Sequence, residues 1–125
     1  MRTRTAERET FLKDIIITAV ENYGYGWFSV SAYDPDNGTA RIHEEEEGTS
    51  HSVNVETIAR GIGVIRRAEI VNGDLMAEDG KPLYMSEGHR KRILESSREN
   101  DAGELDVIDA LAVLECGLFG RVVYA

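Results

Sequence analysis

Between residues 11 and 20 the chain reads FLKDIIITAV, with apolar side chains in pairs four positions apart: Phe11 and Leu12, Ile15 and Ile16, Ala19 and Val20. That spacing lines one side of an α-helix, where neighbours on a face recur at three and four residues. It fits no strand, whose faces repeat every two. The spacing predicts a helix over Ala6 to Tyr23, with Thr5 as its N-cap and Gly24 as its stop. Directly afterwards the period changes. Phe28, Val30 and Ala32 alternate with Trp27, Ser29, Ser31 and Tyr33, the pattern of a half-buried strand. DPDNG at 34–38 supplies hairpin-turn residues, and the return strand Thr39 to Glu44 places Ala40 and Ile42 on the inner face. A third short strand, His51 to Val53, extends the meander. A chain that switches period in this way must bury a helical stripe against one side of a sheet.

Three more helices are expected. Asn54 caps the second, where Val55, Ile58, Ile62 and Ile65 share a face, Arg60 and Arg67 point away, and Gly61 and Gly63 suit close approach of another backbone. Ser86 caps a polar third helix, EGHRKRILESSRE, that suits the surface. Asp101 with Glu104 resembles the capping box of a fourth, which carries Leu105, Ile108, Leu111, Ala112 and Leu118 inward and stops at Gly120. Between the second and third, Asn72-Gly73 and Asp79-Gly80 mark turns of a small hairpin or irregular arm. RVVY (121–124) has strand character and should pair with an earlier strand. The predicted architecture is α+β: a small, mainly antiparallel sheet of three to four strands and about four helices, the main ones on one face. With no repeat or linker, residues 1–125 read as one domain.

Composition narrows the function classes. At 42% hydrophobic and 30% charged residues, the chain has the balance of a folded, soluble protein. Its 23 acidic against 14 basic residues give a net charge of −9, which repels phosphate backbones and anionic lipid. Nucleic-acid binding is therefore disfavoured. The single cysteine, Cys116, forms no internal disulfide, as suits a reducing compartment. IIITAV (15–20) is too short to span a bilayer, and MRTRTAERET does not read as a signal peptide. The expected location is the cytoplasm, with no membrane association.

TAVENYGYGWFSVSAY, VETIARGIGVIRRA and DAGELDVIDALAVLECGLFGRVVYA together resemble a family of small hypothetical proteins from actinobacteria and their bacteriophages. The closing pattern LFG-x-V-x-Y is met by Leu118, Phe119, Gly120, Val122 and Tyr124. The resemblance is carried by the two ends and the second helix, not by 69–100. It brings no catalytic or binding residue. What it implies is a setting: an accessory protein of a phage or mobile element.

Several constellations could carry chemistry. In ARIHEEEEGTSHSVNV (40–55), His43, His51 and one of Glu44 to Glu47 could hold a divalent metal, although alternate strand residues face opposite ways and no third ligand is evident. The same glutamates, with Asp34 and Asp36, could imitate a row of phosphates and make the chain a DNA-mimic inhibitor. The first reading of the run is plainer: an exposed acidic bend that keeps a sheet edge from pairing. His89, Arg90, Lys91 and Arg92, joined by Arg66 and Arg67 if the second and third helices meet, could bind a nucleotide or phosphorylated ligand. Residues 81–98 carry a local surplus of positive charge, Arg98 included. The aromatic turn of Tyr23, Tyr25 and Trp27 could present a partner surface. Two short-range alternatives fail. A helix-turn-helix needs a tight turn, not the roughly eighteen residues that separate the second and third helices. A dinucleotide fingerprint needs a strand before its glycines. No nucleophile motif surrounds any serine, Cys116 sits on an apolar helix, and Asp106 and Asp109 read as helix-dipole compensation. The expectation is a non-enzymatic, cofactor-free protein that acts by binding another protein.

Overall fold

Thr5 opens helix α1 (Ala6–Glu21): its hydroxyl accepts the Arg8 amide at 3.1 Å. The structure, a computed structural model, describes residues 4–22 and 27–125, so Gly24 lies outside the described residues. All six members of the apolar stripe, Phe11 to Val20, are buried. Strands β1 (Phe28–Asp34), β2 (Thr39–Glu44) and β3 (Ser50–Val53) form an antiparallel sheet in the order β1-β2-β3. The face bearing Phe28, Ala40, Ile42 and Val53 joins α1, α2 (Val55–Arg67) and α4 (Val107–Phe119) in one core.

Alternation in β1 holds up to Ser31 and then breaks. Ser31 pairs with Arg41 but Asp34 pairs with Thr39, so β1 carries one extra residue, a bulge. Ala32 sits there at φ 48° and is exposed, contrary to its expected inward position. Tyr33 packs against the core instead and donates its hydroxyl to Glu21 at 2.6 Å.

Asn54 and Thr57 cap α2 reciprocally, each side chain accepting the other's amide at 3.2 Å. Gly61, one of its two buried glycines, meets α4 directly. A Cβ at Gly61 would overlap the Val113 carbonyl, and one at Gly117 would overlap the Thr57 carbonyl. Each helix thus contributes one glycine where the other's backbone passes. Gly63 differs, facing only the end of the Arg67 side chain. Arg60 does not point away as expected; its Nε–H reaches across to the Gly117 carbonyl at 3.0 Å.

Strands β4 (Glu69–Val71) and β5 (Asp74–Met76) make a separate hairpin around Asn72 and Gly73, both at positive φ as a two-residue turn of this kind requires. Helix α3 (Glu87–Glu99), capped by Ser86, buries Ile93, Ser96 and Ser97 and leaves the rest of its length partly or fully exposed. No helix among the described residues is long and apolar enough to cross a membrane.

The C-terminal third departs from expectation in three ways. α4 is capped by Asp106 with Asp109, not by Asp101 with Glu104; the Asp101 carboxylate instead accepts the Gly103 amide at 2.8 Å. Asp109 stands in the first turn of α4, as dipole compensation requires, but fully buried, whereas Ile108, expected inside, is 38% exposed. RVVY forms no strand. Its only bond resembling a ladder runs from the Val122 amide to the Leu83 carbonyl. The amides that would extend it are taken by a buried carboxylate.

Candidate functional site

That carboxylate is Glu115, fully buried in the middle of α4. Its Oε1 accepts the amides of Val123, Tyr124 and Ala125 at 2.8, 2.5 and 3.1 Å. Its Oε2 accepts the Trp27 indole N–H at 3.2 Å. Three consecutive amides aimed at one oxygen form an anion-holding concavity, here filled by the protein's own side chain. Trp27 is therefore an internal anchor. It stacks on Tyr124 (centroids 4.6 Å apart, 16° between planes) and meets Phe28 edge-on at 4.8 Å. Tyr23 and Tyr25, the other members of the predicted aromatic surface, lie outside the described residues.

The two histidines do not converge. In the β2–β3 register His51 lies opposite Ile42, and His43 lies opposite Ser50. Directly opposed residues share a face and neighbours along a strand do not. His51 is thus on the core side and His43 on the outer side. His43 bonds the hydroxyls of Ser31 and Ser50 at 2.7 and 2.6 Å. His51 Nε2 lies 2.7 Å from Glu44 Oε2, whose other oxygen accepts the Tyr124 hydroxyl at 2.9 Å. Glu44 is consequently buried, not part of an exposed run; only Glu45 to Glu47 are solvated. The bond to Glu44, helped by burial and the nearby glutamate charges, pushes the Tyr124 phenol up to about 12. No group of three metal-ligating side chains occurs among the described residues.

The predicted basic cluster is dispersed. α2 and α3 do meet, but Arg90 turns its guanidinium onto the carbonyls of Ile65, Arg66 and Ala68, closing the C-terminal end of α2. Arg92 makes a two-pronged bond to Asp109 at 2.9 and 2.8 Å. Burial pushes the Asp109 carboxyl up, but that bond, the Asp106 amide and the Arg92 charge outweigh it and hold the group below the ordinary carboxylate range. Arg67 pairs with Glu78 at 2.8 Å. Lys91 is exposed. Arg66 opens instead into a cleft with Arg8 and Arg98, two residues that no sequence window joins to it.

His89 belongs to a different feature, a cleft of about 200 Å³ bordered by Tyr84, Met85, Ile108, Ala112 and Val122. Tyr84 stands there 66% exposed, at φ 62°. Its neighbour Leu83 is fully buried and bonded on both sides, its amide to Leu75 and its carbonyl to Val122. Nothing in the local pattern PLYMS announced this surface; the left-handed backbone at Tyr84 creates it. Cys116 is no candidate nucleophile: it is buried, and desolvation pushes its thiol up to about 12. No family model, curated protein or solved structure matches the chain.

Proposed function

We infer that the chain is a non-enzymatic accessory protein that works by binding another protein, and that it docks through the cleft of Tyr84 and Ile108. One observation carries this reading. A tyrosine in the left-handed region costs about 1–2 kcal/mol, and burial of its ring does not repay that here, because the ring stands in water. Around it lie half-buried Met85 and exposed Ile108, with buried Ala112 and Val122 at the floor and His89 on the rim. Exposed apolar surface of this kind, with an aromatic anchor beside a small cleft, suits the bulky side chain of a partner. The resemblance to actinobacterial and phage proteins names where to look: a host or phage protein of the bacterial cytoplasm.

Recovery from an actinobacterial lysate tests it. The intact chain should retain a distinct protein that the Ile108→Asp and Tyr84→Asp variants lose while their melting temperatures stay near the parent's. Identical recoveries by parent and variants would refute the reading.

A further inference from the structure

Three arginines from three helices line one cleft, and no carboxylate residue lines it with them. Arg8 comes from the first turns of α1, Arg66 from the last turn of α2 and Arg98 from the last turn of α3. With Leu94, Ser97 and Asn100 they line a space of about 410 Å³. Among the described residues, Arg4, Arg67, Arg92 and Arg121 each pair with a carboxylate oxygen within 4.0 Å, and Arg8, Arg66 and Arg98 do not. Arg41, Arg60 and Arg90 lack a carboxylate partner too, but their guanidiniums donate to a hydroxyl or to carbonyls away from this cleft, whereas Arg8, Arg66 and Arg98 line one common space.

Arg8 is fixed in place. One guanidinium nitrogen donates to the Ser97 carbonyl at 2.7 Å and to Asn100 Oδ1 at 3.0 Å, and the group lies 5.0 Å from the Phe11 ring centre. Burial first, then the charges of Arg66 and Arg4, lower its pKa from the usual arginine value. Helix ends explain Arg66 and Arg98 one at a time, since a cation suits the last turn of a helix. They do not explain why a third cation, brought from α1, is clamped into the same space.

We propose that this cleft binds a small phosphomonoester dianion. Planar guanidinium forks match phosphate oxygens two at a time, and a dianion would offset the positive charge that lines the cleft. Asn100 turns its oxygen to Arg8 and leaves its amide N–H groups as further donors, while Leu94 offers an apolar wall to the esterified group. A long polyanion is disfavoured, because beyond a screening length of about 8 Å it meets the acidic surface of the rest of the chain.

Calorimetric titration of the intact chain with phenyl phosphate at low salt tests the site. Saturable one-site binding in roughly the millimolar range or tighter is expected. Arg66→Gln and Arg98→Gln, both at exposed positions, should each weaken it about tenfold, and Arg66→Lys and Arg98→Lys should recover part of the loss. Arg67→Gln, whose guanidinium holds Glu78 instead, should leave it unchanged. Absence of saturable heat up to about 20 mM ligand, or parent-like affinity in both glutamine variants, overturns the proposal. So does tighter binding of a duplex oligonucleotide with the same arginine dependence, which would make the ligand a polymer.

Discussion

Replacing Glu115 with glutamine exchanges one oxygen for an NH2 group at the centre of the C-terminal packing and should detach the tail. Hydrogen bonds to a charged acceptor contribute about 1.5–3 kcal/mol each, and neutral ones about 1. Glutamine keeps one carbonyl oxygen for the amides of Val123, Tyr124 and Ala125, so those three bonds survive at reduced strength. At the other position it sets an amide N–H against the Trp27 indole N–H, two donors facing each other where Oε2 now accepts at 3.2 Å. The weakened trio and the lost indole bond together remove roughly 4–6 kcal/mol, and easier burial of a neutral amide returns about 2 of these. A net loss of about 2–4 kcal/mol corresponds to a melting temperature lower by roughly 6–15 °C in a domain of this size. Trp27 is the only tryptophan, and it stacks on Tyr124, so release of the tail shifts its emission to the red. Glu115→Ala, which removes the acceptor altogether, should give the same shifted spectrum. A glutamine variant that melts within about 2 °C of the parent with unchanged emission would show that the carboxylate does not hold the tail.

Three further outcomes follow from the packing. Gly61→Ala and Gly117→Ala each drive a Cβ into the opposing helix's backbone and should cost about 2–4 kcal/mol in urea unfolding, while Gly63→Ala, which displaces only the Arg67 side-chain end, should be neutral or stabilise by up to about 1 kcal/mol. Asp109→Asn should lower stability by about 2 kcal/mol at neutral pH, a figure reduced because the Arg92 side chain is 40% exposed. Because the folded Asp109 pKa lies below its unfolded value, the gap between parent and variant melting temperatures should be constant above about pH 4 and close as the pH falls through the folded value. Arg90→Ala should cost about 2 kcal/mol by freeing three carbonyls at the end of α2, and Arg90→Lys should restore only part, since one ammonium cannot span them as a planar fork does; thermal unfolding followed by circular dichroism separates the three proteins.

Elements whose causes are local were legible in the sequence. The stripe of α1, the DPDNG turn, the alternation in β2 and the caps Thr5, Asn54 and Ser86 all stand where their spacing puts them. What failed was set by distant contacts. Two acidic pairs at cap spacing, Asp101 with Glu104 and Asp106 with Asp109, are equivalent as text; Arg92, arriving from α3, bonds to the second. Val122, Val123 and Tyr124 do favour a strand, but a carboxylate from the preceding helix takes the amides that a ladder would need. The one clue was a lone glutamate in the otherwise uncharged stretch 110–120, and its meaning required the tail's position in space.

Charge misled for the same reason. Counting along residues 81–98 finds a positive surplus, yet Arg90 is taken up by carbonyls and Arg92 by Asp109. A cleft lined by three arginines and no carboxylate is assembled instead from positions 8, 66 and 98, which only the meeting of α1, α2 and α3 brings together. Net charge and local charge then act at different ranges. At −9 the chain as a whole repels anything long and anionic, but screening over about 8 Å confines that repulsion to approach. The cleft itself is lined by three arginines and no carboxylate, so a compact dianion and a nucleic acid meet different surroundings on the same molecule.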